Sequence, residues 1–220
     1  MVADRLRDAG HAAYRPTLTG LGERQHLGQR NTNLDTHIDD VVNLLKYEDL
    51  SGVMLVGQSY GGAVVTGVAD RVPDRIGRLV YVDAFVPRHG ESVNDLSGSF
   101  AGFVRERAEE EGHGWQVPVW FSAEDQLLPA NLASWYMSHV GAHPLATLDQ
   151  PIELTGAAAK VPISYIDCEP PGTETWVFRP FAELARTSGW DYRRLPVGHD
   201  AHVIDPDGLV VSLIAAAAAG

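Results

Sequence analysis

The sequence predicts an α/β fold, a mostly parallel sheet with helices on both faces and an inserted helical segment. Three observations carry this. Apolar runs of strand length, at residues 52–57, 78–83 and 162–167, alternate with stretches whose apolar residues recur at helical spacing. Parallel strands joined by right-handed crossovers place those helices on both faces. Residues 88–160 interrupt the rhythm, holding Phe100, Phe103, Trp115, Trp120, Phe121 and Trp135 but few clear strands.

Taken in order, Val2, Leu6 and Ala9 share one face of a helix over residues 2–9, and Gly10 suits its C-cap. Residues 11–15 form a short strand candidate that Pro16 ends. Residues 17–33, with Gly20, Gly22 and Gly28 and no periodicity, read as a loop. Leu34, Ile38, Val41, Val42 and Leu45 line one helical face behind an Asn33 cap. Residues 52–57 are a continuous apolar run of buried-strand length. A helix follows over 63–71, stopped by Pro73. Residues 78–83 and 162–167 are two further buried strands, 181–187 a short helix, 191–195 a weak strand and 207–219 a closing helix. This organisation predicts a core from residues 1–87 and 161–220. Residues 88–160 are then a cap over the C-terminal ends of the strands, where open α/β sheets bind their ligands.

Composition narrows the class. A chain of 220 residues, 45% hydrophobic and 21% charged, is ordinary globular usage and excludes a disordered, collagen-like or coiled-coil chain. A single cysteine, Cys168, excludes an intrachain disulfide framework and a thiolate metal cluster. The net charge of −12 argues against nucleic acid or an anionic membrane as partner. The longest apolar run, 209–219, is too short to span a bilayer, and the charged opening residues lack a signal-peptide core. A soluble, cytoplasmic protein acting on a small-molecule substrate is the expectation.

The sharpest local signal is Gly57-Gln58-Ser59-Tyr60-Gly61-Gly62, a G-x-S-x-G turn with a strand before it and a helix after it. Such a turn is tight, so side chains at Gly57 and Gly61 are expected to collide with neighbouring backbone. It lifts Ser59 Oγ into the open as a nucleophile, and the N–H of Tyr60 at the helix N-terminus becomes an oxyanion donor. A serine needs a base. Of the histidines, His199 sits in Pro196-Val197-Gly198-His199-Asp200, between the last strand and the closing helix, where Gly198 would allow a sharp turn. His202 is the rival. His199-x-x-His202 lacks a matching third ligand, so no metal is expected, and no organic cofactor is implied. The remaining histidines, His37 and His143 among them, read as surface or cap residues. The third group should be a strand-end carboxylate that orients the imidazole. Asp83 ends the strand after the nucleophile helix and is the favoured acid; Glu169 and then Asp167, which follow the strand before His199, are the alternatives, and the chain order Ser, acid, His holds for each.

These stretches resemble α/β-hydrolases of the bacterial esterase branch related to plant hydroxynitrile lyases and methylesterases. The resemblance rests on Pro16-Thr17-Leu18-Thr19-Gly20-Leu21-Gly22-Glu23-Arg24, on Leu55-Val56-Gly57-Gln58-Ser59-Tyr60-Gly61-Gly62, on residues 78–87, and on Gly198-His199-Asp200 followed by Pro206. It runs from about residue 2 to 215 and is weakest across the cap. It implies Ser59 as nucleophile and His199 as base. Asp83 is similar to the acid of haloalkane dehalogenases, which ends this same strand, while other members carry the acid near Glu169. Those dehalogenases attack with aspartate, so Ser59 points away from dehalogenation. Such chains usually begin with strands leading into a His-Gly-type loop that supplies a second oxyanion N–H. Because this chain starts beside its first helix, the expectation is that one donor and at least one core strand are absent, through a misplaced start or a natural truncation. An exposed sheet edge and a possible homodimer would follow.

The leading functional expectation is a serine hydrolase cleaving a carboxylic ester of a small, largely apolar substrate through an acyl-enzyme. The alternatives are lyase or decarboxylase-type acid–base chemistry with the same Ser–His pair, and a non-catalytic, truncated ligand binder.

Overall fold

The computed structural model describes residues 1–169 and 177–219. It opens with α1 (Val2–Asp8), whose end is closed by Gly10 at a φ of +88°, donating to Arg7 C=O. A 3₁₀ turn at Gly22–Leu27 interrupts the following loop. Helix α2 (Leu34–Tyr47) starts where expected: Asn33 Oδ1 accepts from Thr36 N–H at 3.0 Å and Thr36 Oγ1 accepts from Asn33 N–H at 3.3 Å, satisfying two otherwise orphan donors. Then come β1 (Val53–Ser59), α3 (Gly61–Arg71) and β2 (Ile76–Ala84). The segment between β2 and the next long strand supplies α4 (Val93–Leu96), α5 (Phe100–Glu111), β3 (Gln116–Val117), α6 (Ala130–Met137), β4 (His143–Pro144) and α7 (Leu145–Asp149). The chain returns through β5 (Ile163–Cys168), α8 (Arg179–Thr187), β6 (Asp191–Leu195), α9 (Ala201–Ile204) and α10 (Pro206–Ala218).

Strands β1, β2, β5 and β6 form one parallel sheet in the order β1-β2-β5-β6, and β3 pairs with β4 as a short antiparallel ribbon. Alternation along the strands feeds two cores. Leu79, Tyr81 and Tyr165 point to the face covered by α2, α3 and α8. Val80, Val82, Ile166 and Cys168 point to the face covered by Leu209 and Leu213 of α10, with Val2 and Leu6 of α1 at its margin. At the start of α10, Asp205 Oδ1 accepts from Gly208 N–H, and Pro206 takes the first turn, where its missing N–H costs nothing.

Two sequence expectations fail here. Residues 11–15 form no strand, because they pair with no neighbour in the sheet. Strand β1 is not buried as its apolar run suggested. It pairs with β2 on one side only, and Val56 is 39% exposed. An apolar run alone does not distinguish a central strand from an edge.

An apolar edge of this kind is a template for pairing with another chain. Sedimentation should therefore show concentration-dependent self-association of this chain, and Val56→Lys should weaken it roughly tenfold. Monomer at every concentration, with or without the lysine, would remove the edge as an interaction surface.

Candidate active site

The end of β1 and the start of α3 are joined without a linker. Ser59, the last strand residue, has a φ of +54°, a left-handed conformation that costs energy for any residue with a Cβ. Gly57 is required by space: a Cβ there would lie 2.5 Å from Gly61 O and 2.6 Å from Val65 Cγ2. At Gly61, however, a Cβ would meet nothing within 4 Å, contrary to expectation. The second tight position is Gly62, where a Cβ would come 2.2 Å from Phe85 O, because α3 packs its first turn on the backbone leaving β2.

Beside this turn, β1 and β2 lose register. Gln58 pairs with Val82 and Ser59 with Ala84, so Asp83 is passed over as a bulge. Asp83 also has a left-handed φ, +43°, and is fully buried. The bulge turns its carboxylate toward the loop after β6, where Asp83 Oδ2 lies 2.6 Å from His199 Nδ1. Burial pushes the Asp83 carboxyl above its ordinary range, and the His199 hydrogen bond opposes that rise. His199 is held from two further sides. Gln58 Nε2 donates to its carbonyl at 2.5 Å, and Phe178 stacks on its ring at 4.8 Å and 8°. His199 Nε2 and Ser59 Oγ make no hydrogen bond to another described residue, so both are available to a ligand. Gly198 has no left-handed φ; what its missing Cβ does is clear Ile204 Cδ1, which would lie 3.0 Å away.

The competing carboxylates are engaged elsewhere, whereas the buried His202 Nδ1 has no hydrogen-bond partner among the described residues. Glu169 Oε2 accepts from Arg194 at 2.8 Å. Asp167 Oδ2 accepts from the Tyr192 hydroxyl and faces Arg186 at 3.4 Å. His202 has Asp200 as its nearest carboxylate, at 3.9 Å.

The N–H of Tyr60 has no partner among the described residues. In the loop ahead of α2 the Thr19, Gly20 and Leu21 N–H groups are already committed, to Asp40 Oδ2, Arg24 C=O and Leu18 C=O respectively. The Tyr60 side chain enters a buried polar cluster that motif reading missed. His37 is fully buried rather than a surface residue. Its Nε2 lies 2.7 Å from Thr19 C=O, so Nε2 carries the proton and Nδ1 accepts from Tyr60 Oη at 2.8 Å. His143 stacks edge-on against Tyr60 at 4.7 Å, with Nε2 2.7 Å from Thr147 Oγ1. No motif marks these positions; only the burial of His37 in the apolar face of α2 betrays them. Gln58 and Phe178 were missed for the same reason.

The chain belongs to the alpha/beta hydrolase family, whose sequence profile matches residues 2–212. It is 38% identical over 224 residues to a carbendazim hydrolyzing esterase of Nocardioides sp. (strain SG-4G), covering 97% of this chain and 91% of that one. Among solved structures, an extracellular alpha/beta-hydrolase from a Paenibacillus species superposes with a TM-score of 0.84 at 24% identity, covering 98% and 91% of the two chains. Tomato methylketone synthase I superposes with a TM-score of 0.78 at 14% identity, covering 99% and 91%, which shows the shared fold alone. Among the described residues no helix is long and apolar enough to cross a membrane.

Burial holds His37 below its ordinary value and pushes His143 down to about 3. Both are neutral in the folded chain at pH values where the unfolded chain protonates them. The contribution of His143 is complete above about pH 6.5 and lost as the pH falls toward 3, and that of His37 is lost in the same direction, because the unfolded state then binds more protons. Urea unfolding should lose up to ~1.4 kcal/mol per pH unit per histidine on acidification below about pH 6. His143→Gln should remove about one proton from that slope. An unchanged slope would mean that His143 is not held neutral.

Proposed function

We propose that this chain is a serine hydrolase that cleaves a carboxylic ester of a small, largely apolar substrate through an acyl-enzyme. One observation carries the reading: His199 Nδ1 is bound to the buried Asp83 carboxylate, while the His199 carbonyl is tied to Gln58, the residue before Ser59. The clamp leaves Nε2 as the free nitrogen of an imidazole on the sheet edge that presents Ser59. The 38% identity to a carbendazim hydrolyzing esterase supports an ester-class substrate.

In this mechanism Ser59 Oγ attacks the acyl carbon as His199 Nε2 takes its proton. Asp83 stabilises the resulting imidazolium and keeps the ring in the productive tautomer. The carbonyl oxygen becomes an oxyanion that accepts from Tyr60 N–H at the N-terminus of α3. Collapse expels the alcohol, which receives the proton from His199. Water then attacks the acyl-Ser59 ester, again giving its proton to His199, and the carboxylic acid leaves with Ser59 restored. Residues 88–160 form the cap. They reach the site at Thr147 beside Tyr60 and at Leu127, whose Cδ1 would lie 3.6 Å from a Cβ at Gly198. They carry an aromatic cluster of Phe100, Phe103, Trp120, Phe121 and Tyr136, of which Tyr136 lies near Asp200, the residue after His199.

An active-site-directed fluorophosphonate should label the chain once, at Ser59, with the adduct located by peptide mass spectrometry. On an ester turned over by the wild type, Ser59→Ala should lower kcat by roughly 10³ or more. Asp83→Asn should lower it by about 10⁴, since the amide holds the wrong tautomer, while Glu169→Gln should stay within about twofold. A folded chain that neither reacts with the phosphonate nor turns over any ester would leave a ligand binder instead.

A further inference from the structure

At the other end of the strands, the first residues of β5 and β6 and the third residue of β2 border a cavity of about 480 Å³. Its walls include Val161, Ile163, Trp190 and Ala219, with Arg78 and Asp191 as its charged members. Arg78 pairs in register with Met54, five residues before Ser59 in β1, so this cavity lies roughly 16 Å along the strands from Ser59. It is independent of the catalytic reading.

The charges around it do not balance. Asp191 Oδ2 accepts from Arg193 Nε at 2.9 Å and from Ser164 Oγ at 2.9 Å, so its charge is met by Arg193. Arg193 in turn donates to Ala215 C=O at the α10 wall. Arg78 is different. It is only 9% exposed, and Nη1 donates to Ser164 Oγ at 3.1 Å. Ser164 Oγ spends its single proton on Asp191. Among the described residues Arg78 has no carboxylate partner and no other hydrogen bond. A guanidinium carries five N–H donors in a planar fork. Four of them have no described acceptor, and the cavity they border mixes polar surface with the side chains of Val161, Ile163 and Trp190. The unpartnered donors reach solvent at the cavity, where an anion would take them in charge-assisted hydrogen bonds.

We propose that this cavity is a binding site for a small organic carboxylate with an apolar or aromatic body. The two coplanar oxygens would lie on the Arg78 fork, and the body would sit against Trp190, Val161 and Ile163. A carboxylate fits the vacancy better than a doubly charged phosphate, because Asp191 beside it limits the negative charge the site tolerates and the chain carries a net charge of −12. Trp190 stacks on Tyr81 at 6.0 Å and 18°, so an aromatic ligand would extend an existing stack.

The indole N–H signal of Trp190, assigned by its loss in Trp190→Phe, reports on the site locally. Titration of the whole chain with sodium benzoate should move that signal saturably, at concentrations up to about 10 mM. Benzamide, of nearly the same shape without the charge, should bind at least roughly tenfold more weakly. Arg78→Met, with the rest of its spectrum native, should lose the benzoate response by a similar factor, and Arg78→Lys should retain part of it. The proposal is overturned if the Trp190 signal does not respond to benzoate, or if benzamide binds as well as benzoate. It is equally overturned if a folded Arg78→Met chain keeps its affinity. The benzamide comparison uses the wild type alone and decides the matter even if the methionine variant does not fold.

Discussion

Between Gln58 and Ser59 the pairing of β1 with β2 slips by one residue, and the residue passed over is Asp83. A regular ladder would give Asp83 a partner opposite it and an ordinary strand conformation. As a bulge it takes a left-handed φ, and its buried carboxylate meets His199 at 2.6 Å. Ser59, paired just beyond the slip, is strained in the same sense. The two residues thus hold conformations that isolated strands avoid, at neighbouring strand ends. The surrounding packing sustains them: Gly57 against Gly61 and Val65 on one side, Gly62 against the Phe85 carbonyl on the other.

The same local economy appears in the polar groups. Gln58 spends its side chain on the His199 carbonyl, and Phe178 covers the ring, so the imidazole has one free nitrogen and little freedom to rotate. Behind the turn, His37 joins the Tyr60 hydroxyl to the Thr19 carbonyl. His143 meets Tyr60 from the ribbon that leads into α7. The loop ahead of α2, the Ser59 turn and the segment leading into α7 are tied together through neutral, buried donors and acceptors, whose pairing is what makes their burial tolerable. The fold by itself does not choose the reaction. A methylketone synthase and an extracellular alpha/beta-hydrolase superpose on this chain over nearly its whole length. The ester reading therefore rests on the site residues and on the esterase relative.

The sheet also separates two kinds of chemistry. At the C-terminal strand ends the Asp83 carboxylate is closed by its hydrogen bond with His199. At the N-terminal ends Asp191 is matched by Arg193, and among the described residues Arg78 has Ser164 but no carboxylate partner at the cavity. Buried charge in a folded chain is normally paired, so an unmatched guanidinium is the informative exception at that end.

Much of this architecture was written in local pattern. The periodicity of Leu34, Ile38, Val41 and Leu45, the Asn33 cap, the Gly10 stop and the apolar strand runs each act over a few residues, and each element formed close to where it was expected. The G-x-S-x-G turn was legible because its steric demand lies within Gly57 to Gly62, although the tight second position proved to be Gly62, set by a contact with Phe85 that is remote in sequence. Three matters were decided only by tertiary structure. Which carboxylate meets His199 depended on strand order and on a bulge; local pattern favoured Asp83 over Glu169 and Asp167 but did not contain the contact itself. Strand β1 is an edge because of which neighbours it has, a property its own composition does not encode. The burial of His37 and the solitude of Arg78 depend on partners tens of residues away. Short-range pattern therefore determined the elements and the tight turn at Ser59, while pairing across the sheet determined which side chains meet.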